Sequence, residues 1–425
     1  MSIKEDLLSV GLEDGDSFID ILDEQRFIND QKEELQQLLT VSDSLESLIK
    51  HLEGNRDLTP GHVDLLRTSC ENLLRGTGYG TEILIPSLED YSGGTVSTES
   101  LKDRLAGLWK RIVSITLSIL AAAGRYWKKV STYEGRLRMT AESLRKQGAI
   151  RRGRTIKNAQ TELGIEIKSL TIGASNISDA DTLIRAVSAA IDQYKLVTTS
   201  YPKAMVSVGR VYEDLYKGAG DNVRQTLEDF CCASIHLPFG TVATQLKAMA
   251  YRDTRFGPRS ILMAPPTLGG WSLFINVPDD PVKGQVGNDL TTQAARIRAS
   301  GMRWAMTDVN AQNGASGFMR TASGAQVEQM AARVINILDA IAAQESSRLA
   351  SKINGQIKAV LSAAENYKNR PQVGSDGTLV YSESILRFAR SYASWASGPV
   401  DQMTTNLLTV SRAILIYGRK SLRNQ

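Results

Sequence analysis

From Leu101 onward the apolar residues step by four and three: Leu101, Leu105, Leu108, Ile112, Ile115, Ile119, Ala122 and Tyr126. After one shift, Val130, Tyr133, Leu137 and Leu144 carry the stripe on. Such spacing over about six heptads predicts one long helix, or a bent pair, with its apolar face packed on another helix. Ser100 and Asp103 read as a capping box at its start, and Gly148 as its stop. The basic turn Arg151-Arg152-Gly153-Arg154 follows.

The charge around this helix is segregated in blocks. Residues 1–100 hold 21 Asp/Glu against 7 Lys/Arg, whereas residues 101–157 hold 15 Lys/Arg against 3 Asp/Glu. The balances are −14 and +12 within a chain whose net charge is only +4. Opposite blocks attract each other or sort ligands, so the segregation points to a partner rather than to a fold. The longest uncharged apolar run, Ile112 to Gly124, is 13 residues, and a membrane span needs about 20. Three readings of the helix stand. Its apolar stripe is core and its cations a solvated flank, paired with the acidic segment. Or the cations meet phosphates in non-specific nucleic-acid binding. Or Trp109, Ile112, Ile115, Ile119, Tyr126 and Trp127 press into a membrane interface, in the manner of a membrane-active or pore-forming helical protein.

The rest of the chain also reads mainly as helix. Residues 18–53 carry apolar residues at helical spacing up to Gly54, and a helix opening at Thr59-Pro60 runs to about Arg75. Residues 178–196, 210–232, 290–306, 326–368 and 381–421 have helical texture. Between them Pro238, Gly240, Gly257-Pro258, Pro265-Pro266, Gly269-Gly270 and Pro278 punctuate short apolar runs, with strands at Ser260–Met263 and Trp271–Val277. The expected architecture is therefore mainly α, with long packed helices in a bundle-like arrangement and a small β-insertion at about 233–282. At 425 residues the chain exceeds what one core comfortably serves. It divides into an acidic helical segment (1–99), a basic helical domain (100–232), the β-insertion (233–282) and a C-terminal helical domain (283–425).

Catalytic and metal-binding patterns do not emerge. The three histidines, His51, His62 and His236, sit in no Cys/His cluster of ligand spacing. Cys70, Cys231 and Cys232 form no C-x-x-C pair and read as buried or free thiols of a reducing interior. Gly76-Thr77-Gly78-Tyr79-Gly80 resembles a phosphate loop only superficially, because a helix and not a strand precedes it. The first residues lack the basic and apolar regions of a secretory signal. No cofactor, no metal and no enzymatic activity are expected.

Three stretches carry a resemblance. Acidic helices lead into Ser100-Leu101-Lys102-Asp103-Arg104-Leu105-Ala106-Gly107-Leu108-Trp109-Lys110-Arg111-Ile112-Val113; Gly269 to Pro278 forms a short strand segment; and Tyr381 to Leu422 forms a terminal helix. Together they resemble the internal head proteins of tailed bacteriophages of the myovirus type. The resemblance implies a structural virion protein, made in the host cytoplasm and housed in the capsid interior with packaged double-stranded DNA, with delivery alongside that DNA a further expectation. Its partners would be that DNA, other head-interior or capsid proteins, and further copies of itself. It also implies trimming by a prohead protease after a small-x-Glu site. Ser87-Leu88-Glu89 and Ser97-Thr98-Glu99 fit, as does Ser44-Leu45-Glu46, and cutting after Glu89 or Glu99 would remove most of the acidic block as a propeptide. The expected phosphate contacts are Lys110, Arg111, Arg125, Lys128, Lys129, Arg151, Arg152 and Arg154, acting as point charges that read no bases.

Overall fold

The computed structural model describes residues 15–54, 99–172, 175–219, 222–235, 247–249, 261–264, 266–276, 301–306, 317–346, 349–368, 378–396 and 398–425. In chain order they form helix α1 (Gly15–Gly54), the 52-residue helix α2 (Glu99–Ile150) and strand β1 (Gln160–Leu163). A short 3-10 turn (Ile165–Leu170) leads to strands β2 (Thr171–Ile172) and β3 (Ser175–Asn176). Helix α3 (Ala180–Lys195) passes through one π-turn (Leu196–Ser200) into α4 (Tyr201–Gly218), followed by α5 (Val223–Ile235). Strands β4 (Lys247–Met249), β5 (Ile261–Met263), β6 (Trp271–Asn276), β7 (Gly301–Met306) and β8 (Gly317–Arg320) precede α6 (Gly324–Ser346), α7 (Leu349–Lys368), α8 (Thr378–Ala396) and α9 (Val400–Arg423). The protein is mainly α, as its periodicity predicts. The helix expected at 59–75 lies outside the described residues.

Helix α2 is the spine. Ile112, Ile115, Ile119, Ala122, Tyr126, Val130, Tyr133, Leu137, Ala141, Leu144 and Gly148 are all buried along it. Ten steps separate Ile112 from Gly148, a mean of 3.6 residues per step. That is the period of a straight helix rather than the 3.5 of a supercoil. The stripe read from the sequence is buried from Ile112 on, and its shift at Val130 helps raise the mean above that of a strict heptad. Over this length α2 does not wind around one partner but lies against α1, α6 and α9.

Nor does Gly148 stop the helix, which runs on to Ile150. A Cβ there would stand 2.7 Å from the Glu328 backbone nitrogen and 2.8 Å from the Gly324 carbonyl. At Gly324 it would meet the Arg151 carbonyl at 2.5 Å. The two glycines let the end of α2 and the start of α6 cross backbone to backbone, closer than any side chain permits.

Sequence periodicity merges helices that the structure separates. Residues 326–368 are two helices, α6 and α7, and residues 381–421 are α8 and α9. Gly398 takes φ +58° and Pro399 follows it, so the chain turns where a left-handed glycine and a missing N–H both end helices. Residues 210–232 likewise divide between α4 and α5. Asp179, by contrast, starts α3 where the periodicity places it. Its carboxylate accepts from the Thr182 N–H at 2.8 Å, and that bond holds its pKa below the usual value.

An aromatic core joins α4, α5 and α8: Tyr212, Tyr216, Phe230, Phe388, Tyr392 and Trp395 pack ring on ring. The buried phenols find carbonyls, with Tyr216 donating to Ile385, Tyr392 to Met205 and Tyr201 to Trp395. These bonds remove the desolvation cost that an unpaired buried hydroxyl carries.

The β-layer is larger than the sequence suggests. Strands β4, β5, β6 and β7 form one antiparallel sheet in that order. Ile261–Met263 and Trp271–Asn276 are strands as expected, but Gly301–Met306, within the stretch read as helix, pairs along all of β6 from Gly301↔Asn276 to Met306↔Trp271. Met, Arg and Ala are good helix formers, but propensity is worth less than about 1 kcal/mol per residue and full ladder pairing overrides it. Gly269 and Gly270, at φ +80° and +74°, turn the chain into β6. Gly269 N–H donates to the Thr171 carbonyl, and Asn406 of α9 donates to that of Leu268, tying the sheet to the helices. Strands β1 and β8 pair antiparallel nearby.

Replacing Gly148 with alanine is expected to destabilise the fold by about 1–3 kcal/mol, because backbone atoms cannot step aside as a side chain can. Chemical denaturation of Gly148→Ala checks it, and unchanged stability would show that the crossing is loose.

Candidate nucleic-acid interface

Helix α1 lies along α2. Its buried residues Ile21, Ile28 and Leu35 recur every seven positions, with Leu38 and Val41 continuing the seam. Carboxylates flank the seam on α1 and cations flank it on α2. Arg111 donates through Nε and Nη2 to Glu34 Oε1 at 3.2 and 2.8 Å. Arg125 Nε meets Glu24 Oε1 at 3.1 Å, and Lys129 Nζ reaches the same oxygen at 3.4 Å and the Asp20 carbonyl at 3.3 Å. Later residues of α1 meet earlier residues of α2, so the helices run antiparallel. Phe27 of α1 turns its ring to the Arg125 guanidinium, 5.9 Å away, instead of entering the core. At the other side of α1, Lys32 pairs with Asp401 of α9 at 2.9 Å, and Gln402 donates to Asn29.

Magnitudes decide what holds α1. Five buried aliphatic side chains contribute roughly 1.5–3 kcal/mol each, whereas exposed ion pairs contribute about 0–1 kcal/mol each. The apolar seam docks the helix and the charges orient it. Glu24 is largely enclosed, its side chain 14% exposed against 55% for Arg125. Burial alone would raise its pKa, but the hydrogen bonds and charges of Arg125 and Lys129 outweigh that and hold it below 4.5.

The eight basic residues singled out in the sequence therefore fall into different environments. Arg111, Arg125 and Lys129 are engaged by α1. Arg152 makes a bidentate pair with Glu328 of α6, both contacts 2.6 Å. Arg151 donates to the Leu422 carbonyl and so satisfies an end of α9. Lys110, Lys128 and Arg154 are exposed and make no ion pair among the described residues. Lys146, equally open, joins Lys110 and Lys128 in one line, because the three are spaced 18 residues apart, a whole five turns of about 27 Å. Arg138 of the same flank bridges Glu134 and Asp339.

The acidic partners Glu24 and Glu34 escape sequence reading individually, although the acidic block signals that such partners exist. Glu328 carries no signal, lying 176 residues from Arg152. Glu89 lies outside the described residues, and Glu99 is the first residue of α2. Trp109 belongs to α2, while Trp127 packs against the core. No helix among the described residues is long and apolar enough to cross a membrane. Nor, among them, does any group of three or more His, Cys, Asp or Glu stand ready to hold a metal. Cys231 is buried; Cys232 is exposed, yet partial desolvation and the nearby Asp229 and Glu228 push its thiol up, which disfavours the thiolate.

In this mainly helical body two oppositely charged helices, α1 and α2, lie side by side. A family model of phiKZ-like phage internal head proteins matches residues 12–420, and the chain belongs to that family. It is a structural protein of the virion, and its place is inside the capsid. No curated protein and no solved structure matches it.

Because the folded pKa of Glu24 is depressed, its stabilising contribution is complete above 4.5 and is lost as pH falls through the lowered value. Denaturation between about pH 6 and pH 3 should show this acid loss blunted in Glu24→Gln. Identical pH profiles for the two proteins would remove Glu24 from the seam.

Proposed function

We propose that this head protein is packaged in contact with double-stranded DNA, binds it non-specifically through phosphates, and travels with the genome on delivery. The role is structural: cations neutralise and arrange the polyanion, without reading bases. One observation carries the reading. Three cations of α2, Arg111, Arg125 and Lys129, are held by carboxylates of α1, anions for which phosphates can compete. Helix α1 then acts as an acidic cover. Lys110, Lys128 and Arg154 remain open for first contact, too sparse to bind a duplex tightly by themselves.

A prohead protease acting after Glu89 or Glu99 converts that cover from a covalent to a non-covalent one. The cut severs α1 from α2, but the buried seam through Ile21, Ile28 and Leu35 remains. Exposure of the cations thus requires displacement of α1, by DNA competing for the cations or by packing against other head proteins or further copies of the chain.

Replacing Lys110, Arg111, Lys128 and Lys129 together should weaken DNA binding and flatten the plot of log affinity against log salt, by about 0.9 for each phosphate no longer neutralised. The double change Glu24→Gln and Glu34→Gln should act oppositely, tightening binding by freeing cations. Unchanged affinity in both proteins removes the proposal. For the cleavage, mass spectrometry of protein taken from virions should find an N-terminus at residue 90 or 100, and a chain starting at residue 1 or 2 refutes it.

A further inference from the structure

Where α2 and α7 face each other beside α1 and α9, the packed helices leave a cavity of about 630 Å³. Ile119 and Trp127 of α2 and Ile353 of α7 supply its apolar wall. Two glycines line it, Gly124 in the middle of α2 and Gly355 in α7. Glycine weakens a helix interior relative to alanine, so each needs a reason. Gly148 has one in its backbone crossing, but Gly124 and Gly355 do not: a Cβ at either would meet nothing within 4 Å. Both glycines leave the lining free of side chain at these points, where a larger residue would intrude.

The polar side of the cavity has unused capacity. Asp401 gives one carboxylate oxygen to Lys32, while its other oxygen is buried without a hydrogen-bond partner among the described residues. A buried acceptor left in that state calls for a donor. Lys358, also on the lining, is exposed and makes no ion pair among the described residues. With Lys32, Lys358 and Asp401 the ionisable lining carries a balance of +1. The volume falls within the roughly 300–1,000 Å³ of small-molecule sites.

We propose that this cavity is a binding site for a small organic monoanion with a flat or branched apolar body and a hydrogen-bond donor. The body lies between Trp127, Ile119 and Ile353. Its anionic group meets Lys358, and its donor meets the free oxygen of Asp401. None of these residues belongs to the set expected to contact phosphates, so the site stands or falls separately from DNA binding.

The probe 8-anilinonaphthalene-1-sulfonate combines an aromatic body, one sulfonate and one N–H, and N-phenyl-1-naphthylamine is its neutral counterpart. Fluorescence titration of the full chain should give saturable binding of the sulfonate at one site per chain. Gly124→Leu and Gly355→Leu fill the space and should each lower that affinity at least about tenfold, with cooperative thermal unfolding retained. Lys358→Met should weaken the sulfonate by about three- to tenfold and leave the neutral probe unchanged. Binding that never saturates, or that survives both leucine substitutions, overturns the proposal. Should the filled variants unfold, the Lys358→Met contrast decides, and equal effects on both probes, or none, overturn it.

Discussion

One straight helix sets the terms for the rest of this structure. Helix α2 buries a residue every 3.6 positions from Ile112 to Gly148, so its apolar line stays on one side without supercoiling. A line of that length needs cover from several neighbours, and α1, α6 and α9 supply it. The close crossing of Gly148 and Gly324 fixes one end of the arrangement, where backbones touch and no rotamer can adjust. Toward the other end the cover is α1, held by aliphatic burial and oriented by charge.

That orientation gives the charge segregation its physical meaning. Long-range attraction between a −14 block and a basic block brings two helices together in one chain. Yet the energy of docking resides in Ile21, Ile28, Leu35, Leu38 and Val41, because surface ion pairs return little of what they lose in hydration. A polyanion competing for Arg111, Arg125 and Lys129 therefore meets two barriers of different kind. Salt and phosphate act on the first, and only displacement of an apolar face acts on the second. On the function proposed above, this would separate the moment of chain cleavage from the moment at which the cations become free.

The β-layer and the C-terminal helices are organised by other forces. The sheet is joined to the helical body through main-chain groups, Gly269 to Thr171 and Leu268 to Asn406, where two left-handed glycines bring the turn close. In the C-terminal half, six aromatic rings from three helices share one core, and buried phenols bond to carbonyls. Side-chain spacing does not name Tyr212 and Phe230 as partners of the α8 rings, which only the packed chain brings together.

Sequence alone determined the properties that are local or additive. The buried stripe of α2, the start of α3 near Asp179 and the strands at 261–263 and 271–276 follow from side-chain spacing and turn chemistry, which act within a few residues. The existence of a basic surface and an acidic partner follows from counting charges. Tertiary structure decided everything that depends on which distant residue stands opposite. It made Gly148 a crossing point instead of a stop, turned Gly301–Met306 into a strand by pairing it with β6, and divided the long C-terminal helical stretches into four helices. It also sorted the eight cations into paired, structural and open groups, since Glu24, Glu34 and Glu328 lie between 77 and 176 residues from the cations they hold. Period and composition carry no information across such separations; only the packed chain brings those charges within about 3 Å of each other.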